Sequence, residues 1–276
     1  MKYKIEKNTV QETLIIPLYA RKVCSELYPN LYRDETAVRL IDEIDYDFSE
    51  AEKNSRGLMQ RFGSLEVAVR QNDLAFEVRD YLKSHPNAAV VNLGCGLDST
   101  GRSCDNGSCK IYNLDFPDVI AVRNELLPAG EREENIPCDL NNTEWFGKID
   151  SSNGAVFFAS GVFYYFLTEQ VKALVQGMAD AFPGGVLVFD AANRTAVKMI
   201  AKTWLKSAKI QDVGAYFAVS DAPQEISAWD SRLQVTSRGY MLGYTDLKDP
   251  SVSGFFRFLG KIGDGMMKMQ IVKINF

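Results

Sequence analysis

Ala88-Ala89-Val90-Val91-Asn92-Leu93-Gly94-Cys95-Gly96-Leu97-Asp98 is a continuous apolar run that stops at a glycine-rich turn. A short run bounded in this way reads as a parallel β-strand buried on both faces. Glycines at its end let the backbone approach a ligand with no Cβ between, and open α/β sheets bind ligands at the carboxyl ends of their strands. Taken alone, a G-x-G is equally what a plain tight turn needs. Similar apolar runs lie at Lys110 to Leu114, Ala155 to Ala159 and Val186 to Phe189. Between the last two, Val171, Leu174, Val175, Met178, Ala179 and Phe182 keep helical spacing behind Thr168, read as the N-cap, and Glu169 in the first turn. A further helix is expected over Arg194 to Ala208.

Upstream, Leu58 to Leu82 keeps a period near 3.6 and ends at Ser84-His85-Pro86-Asn87, a helix stop. Residues 8 to 47 read as short helices broken by Pro17 and Pro29. Towards the C-terminus, Leu233 to Met241 and Met267 to Phe276 alternate with no evident full-length crossover helix between them, which predicts an antiparallel pair at one sheet edge. Strands alternating with helices imply an α/β fold, a mostly parallel sheet covered on both faces.

Composition narrows the function. The 276 residues are 46% hydrophobic and 24% charged, enough for a large core. Lys and Arg number 31 against 36 Asp and Glu, a net charge of −5, so the expectation is no nucleic-acid partner held by phosphate neutralisation. No apolar run approaches the roughly 20 residues needed to span a bilayer, and the charged stretch from Met1 to Lys7 lacks the pattern of a signal peptide. No membrane association and a cytoplasmic location are expected, in keeping with an odd count of five cysteines. Cys95, Cys104 and Cys109 lack zinc spacing, so no metal is expected. His85, the single histidine, precedes the first strand and reads as a surface turn residue, leaving no Ser-His or Cys-His machinery. The run Glu131-Arg132-Glu133-Glu134 reads as a solvated loop.

Asp115 follows Gly94 by 21 residues and ends the next strand, where a carboxylate accepts two ribose hydroxyls. Its simpler role is that of a turn residue before Phe116-Pro117. A dinucleotide fingerprint requires a third glycine, yet Ser99 stands there with Asp98 before it, and an acidic side chain repels a phosphate. Asp98 suits the cationic amino-acid end of S-adenosylmethionine instead, and Asp139 falls after a short extended segment, where a carboxylate could accept the adenine amino group.

Glu12 to Arg21, Asn92 to Asp98, Asp115 to Ile120 and Ala159-Ser160-Gly161-Val162-Phe163-Tyr164-Tyr165-Phe166 together resemble the leucine carboxyl methyltransferase family, which includes tetracenomycin-type polyketide O-methyltransferases. The resemblance implies a class I methyltransferase fold: a seven-stranded sheet with an N-terminal helical cap over residues 1–86 and an α/β core over 87–276, forming one structural unit. It implies S-adenosylmethionine as cofactor and O-methylation of a carboxylate or phenol on a small-molecule acceptor. Carried over by position, Arg61 would meet the methionyl carboxylate, with Arg21 or Lys22 as a second basic residue. Gly94, Cys95 and Gly96 would form the turn under the methionyl part, Asp115 would hold the ribose, and Asp139 with Leu140 the adenine. Ser160 stands where the family usually has an acid, and Tyr164 and Tyr165 are candidates for the acceptor pocket. Three other readings stay open: a protein C-terminal carboxyl methyltransferase, a non-catalytic nucleoside-binding relative, and an NAD-dependent dehydrogenase.

Overall fold

The computed structural model describes residues 2–5, 13–200, 216–245 and 247–276, without the side chains of Glu50 and Ile200. Seven strands form one sheet: β3 (Ala89–Leu93), β4 (Lys110–Asp115), β5 (Glu133–Pro137), β6 (Ala155–Ala159), β7 (Val186–Ala191), β8 (Gln234–Gly239) and β9 (Gln270–Asn275). Their order is β5-β4-β3-β6-β7-β9-β8. β3 to β7 run parallel, and β9 inserts antiparallel between β7 and β8. The chain works outward from β3 to β5, then returns to place β6 on the other side of β3, so a ligand crevice opens at the carboxyl ends of β3 and β6. The two-residue strands β1 (Tyr3–Lys4) and β2 (Ile44–Asp45) pair separately.

The four central strands are apolar because both faces are covered. One face packs Val90, Ile111, Val156 and Val188 against the long helix α4 (Leu58–Ser84) through Leu65, Val69 and Val78. The other packs Val91, Phe157 and Phe189 against α7 (Thr168–Ala181) and Trp145. Each such side chain contributes about 1.5–3 kcal/mol when fully buried. A third cluster joins Leu18, Leu40 and Ile41 of α1 (Ile15–Leu27) and α2 (Glu35–Glu43) to Leu97 in the glycine turn and to Val119 and Val122 of α6 (Pro117–Leu126). The N-terminal helices, with the short α3 (Ser49–Ser55), therefore rest over the crevice end of β3. Between β3 and β4 lies only the single turn α5 (Thr100–Ser103).

Several local expectations are corrected. Pro17 does not break a helix but sits in the first turn of α1, where its missing N–H costs no hydrogen bond. The N-cap of α7 is Leu167, one residue before Thr168, and Gln170 Oε1 accepts from the Leu167 N–H at 2.8 Å. Glu133 and Glu134 are strand, not loop, because Arg102 makes a two-pronged bond to Glu133 at 2.6 and 2.5 Å. A helix, α10 (Gly254–Gly265), does lie between the edge strands; its glycines disguise it, and Gly260 and Gly263 allow close packing on Met241 and Met269. Of the helix expected over Arg194 to Ala208, α8 covers Arg194–Ile200, and the remainder lies outside the described residues. No helix among the described residues is long and apolar enough to cross a membrane.

Helix α4 carries an unusual stripe: Glu66, Arg70, Asp73 and Glu77 share one face by spacing, and that face points inward. Arg70 Nη1 meets Asp190 of β7 at 3.0 Å, and Glu77 accepts from Lys273 of β9 at 2.9 Å and from Tyr244 Oη at 2.7 Å. Between them Asp73 is 3% exposed, and its Oδ2 has no hydrogen-bond partner among the described residues. Burial, reinforced by Asp264 and Glu77, pushes its carboxyl up to about 9. A folded-state value above the unfolded one makes a contribution that is complete below about pH 4 and is lost as the pH rises towards 9. Asp73→Asn is therefore expected to stabilise the protein at pH 8 but not at pH 4, as read from urea unfolding at both. An equal effect at the two values would rule out a neutral Asp73.

Candidate active site

At the end of β3, Gly94 and Gly96 adopt positive φ of 67° and 45°, conformations that favour glycine. A Cβ on Gly94 would lie 2.6 Å from Val162, so the turns after β3 and β6 are in direct contact. The turn is held from outside: Arg123 of α6 donates from Nη1 to Gly96 O at 2.9 Å and Asp98 O at 2.7 Å. Cys95 is buried, and its N–H donates to Leu114 O.

Asp115 accepts from Gly96 N through Oδ2 and from Phe116 N through Oδ1, both at 2.8 Å. Each oxygen keeps a second lone pair, the arrangement a vicinal diol needs. Burial raises its pKa, opposed by those two N–H groups and Arg123. The segment after β5 is stitched alongside, since Cys138 N donates to Asp115 O at 2.8 Å. Leu140 is buried, whereas Asp139 is exposed and uses Oδ1 to accept from Asn141 N and Nδ2. Asp115, Leu140 and the glycine turn thus come together, with Asp139 at the rim.

Asp98 is placed differently from a ligand-facing carboxylate. Thr100 N (2.9 Å), Thr100 Oγ1 (2.7 Å), Asn92 Nδ2 (3.1 Å) and Arg21 Nη1 (3.3 Å) surround it. Arg21 also donates to Leu97 O at 2.9 Å and pairs with Asp34 at 3.2 Å, so it bolts α1 to the glycine turn. Lys22 points elsewhere, 2.7 Å from Glu26 on its own helix. Arg61 lies beside Tyr28, with a buried Nε lacking a partner among the described residues.

The arginine that reaches the end of β6 is Arg70. A Cβ on Gly161 would lie 3.0 Å from its Nη1, and Gly161 N donates to Asp190 Oδ1 at 2.6 Å, which closes a small circuit of Arg70, Asp190 and the Gly161 turn. Arg70 Nε is buried and unpartnered among the described residues, and so is Oγ of Ser160, the residue before Gly161. Asp190 raises the Arg70 pKa against the opposing effect of burial. Tyr164 is buried against Arg70 and Asp190, and burial holds its hydroxyl protonated well above the usual tyrosine range. Tyr165 is 46% exposed. Arg70 and its partner Asp190 escaped motif reading; for Arg70 the inward charged stripe of α4, spaced for one helical face, was the available signal.

The sequence profile of the leucine carboxyl methyltransferase family matches residues 16–179, more than half of the chain. The chain belongs to this family. It is accordingly an S-adenosylmethionine-dependent methyltransferase of the class I fold. Among curated proteins it is 28% identical to tetracenomycin polyketide synthesis O-methyltransferase TcmP of Streptomyces glaucescens, over 66% of each chain. It is 25% identical to the S-adenosyl-L-methionine-dependent methyltransferase dpfgK of Gibberella zeae, over 96% of each. Of solved structures, a DUF574 family protein from Streptomyces avermitilis superposes with a TM-score of 0.58 at 11% identity, covering 92% of this chain and 96% of that one, a likeness of fold.

Proposed function

We propose that this enzyme methylates an oxygen, a phenol or carboxylate, on a small polyketide-like acceptor. Support comes from the Streptomyces glaucescens relative, an O-methyltransferase of tetracenomycin polyketide synthesis, and from Tyr164 and Tyr165, which follow the Gly161 turn at the end of β6, the first buried and the second exposed. The observation that carries the cofactor's place is Asp115, whose two oxygens each hold one backbone N–H and keep room for a ribose hydroxyl. The Gly94 and Gly96 turn would pass beneath the methionyl part, and Leu140 would cover the adenine with Asp139 at its edge. Arg70, rather than the more distant Arg61, is the arginine placed for the methionyl carboxylate. Ser160 Oγ, buried without a partner among the described residues, is an acceptor for the ammonium. S-adenosylmethionine supplies an electrophilic methyl group on sulfonium sulfur; the protein's part is to align the acceptor oxygen and exclude water. A cytoplasmic setting is in keeping with five free thiols.

At a hundred times its dissociation constant, S-adenosylmethionine is expected to add about 2.7 kcal/mol of stability. A melting temperature that responds to NAD and not to S-adenosylmethionine would sink this reading. Asp115→Ala is expected to weaken cofactor binding by about 1.5–3 kcal/mol, while Asp118→Ala, in the first turn of α6, leaves it unchanged. Calorimetry giving the Asp115 variant wild-type affinity would remove Asp115 from the site.

A further inference from the structure

The residues around Arg70 fix which of its nitrogens are already used. Ala159 and Phe189 are register partners across β6 and β7, so Ser160 and Asp190 follow side by side at the carboxyl ends of those strands. Asp190 is buried and bridges two elements: Oδ1 accepts from Gly161 N at 2.6 Å and Oδ2 from Arg70 Nη1 at 3.0 Å. Gly161 has a positive φ of 71°, and a Cβ there would lie 3.0 Å from Arg70 Nη1, 3.2 Å from Nη2 and 3.3 Å from Cζ. The guanidinium therefore lies against the Gly161 Cα, in space that a side chain at 161 would take. Nη1 is spent on Asp190, while Nε, on the other side of the fork, is buried with no partner among the described residues.

We infer that Asp190 is a positioning residue for the cofactor: by holding Arg70 through Nη1 and the Gly161 turn through its N–H, it presents the Nε–Nη2 edge of the guanidinium to the methionyl carboxylate. The inference rests on the reading above that gives Arg70 this carboxylate. A guanidinium makes two parallel bonds to a carboxylate along one edge, so the edge that is turned to the ligand decides whether the contact is bidentate. Arginine carries much rotamer freedom, and a bond that fixes it before the ligand arrives removes that ordering cost from binding. The opposite role would have Asp190 occupy Arg70 until the cofactor carboxylate displaces it. Displacement would take the carboxylate from Arg70 and leave a buried charge without its cation. An anchor that uses a different nitrogen from the ligand's needs no displacement.

The test is calorimetry with two ligands, S-adenosylhomocysteine, which keeps the amino-acid end, and 5′-methylthioadenosine, which lacks it. Asp190→Asn keeps the shape but exchanges one acceptor oxygen for an amide donor. It is expected to weaken S-adenosylhomocysteine binding about tenfold or more and to change methylthioadenosine binding less than about twofold. Once Arg70 is Met there is no guanidinium to orient, so adding Asp190→Asn to Arg70→Met should alter S-adenosylhomocysteine affinity less than about twofold. Should Asp190→Asn fail to fold, Gly161→Ala applies the same test by pushing the guanidinium instead of releasing it, and the same split between the two ligands is expected. Equal losses on both ligands would mean that Asp190 only supports the turn, and overturn the assignment. So would an unchanged affinity for S-adenosylhomocysteine, a tighter one, which is the mark of a competing carboxylate, or a full loss that persists in the Arg70→Met background. If Arg70→Met itself binds S-adenosylhomocysteine like wild type, the reading of Arg70 falls and this inference with it; if Arg70→Met is weakened and Asp190→Asn is not, the inference alone falls.

Discussion

Replacing Arg21 with Met is expected to lower the unfolding free energy by about 3–5 kcal/mol, the usual consequence of removing one partner from a buried ion pair. Arg21 is 3% exposed and stands between Asp34, at the start of α2, and Asp98, in the turn that follows β3. Without it two carboxylates lose the only cation paired with them among the described residues, and Leu97 O loses a donor at 2.9 Å. Asp34 also accepts from Tyr32 Oη and from Ala37 N as the cap of α2, bonds that Asn can partly reproduce. Arg21→Met combined with Asp34→Asn should accordingly recover part of the loss, because one unpaired charge has gone. The measurement is urea unfolding of the single and double variants. A loss below about 1 kcal/mol would mean that water reaches these groups and that the N-terminal helices do not seal the turn.

Much of this fold is written in apolar runs. Ala89–Leu93, Ala155–Ala159 and Val186–Ala191 are nearly free of polar residues because each strand is covered on both faces, and such runs are legible without tertiary context. β5 was not, since a strand beginning Glu133-Glu134 at the sheet edge looks like loop until the arginine that neutralises Glu133 is brought to it from 31 residues away. The same holds for α10, where glycines lower helix propensity but permit a close approach to Met241 and Met269.

The candidate site divides along similar lines. Gly94, Gly96 and Asp115 belong to one local strand-turn-strand unit, so their spacing alone brings them together. Asp98 shares that unit, but its surroundings come from Arg21, 77 residues earlier, which turns a ligand-facing reading into a buried network. The place of Arg70 depends on which side of a helix buried almost all round faces the carboxyl ends of β6 and β7. Apolar periodicity says nothing about this when polar residues are also buried. Only the inward stripe marks it.

The largest loss of cofactor affinity is expected at Arg70. Arg61 and Arg70 are nine residues apart on α4, roughly 13 Å along the axis, so both cannot reach the same carboxylate. Arg70 abuts the Gly161 turn and keeps an unpartnered Nε, whereas Arg61 lies beside Tyr28. Truncating one partner of a buried charge pair typically costs about 2–5 kcal/mol, so Arg70→Met should weaken S-adenosylmethionine binding by that amount. Since Asp190 would then be left buried without its cation, Arg70→Met with Asp190→Asn separates affinity from folding. Arg70→Lys keeps the charge but loses the planar fork, and should fall between. Adenosine lacks the carboxylate, and its affinity should stay nearly constant across the series. Calorimetry in which Arg61→Met loses S-adenosylmethionine affinity while the Arg70 variants keep it would return the carboxylate to Arg61 and place the methionyl end of the cofactor further up the helix.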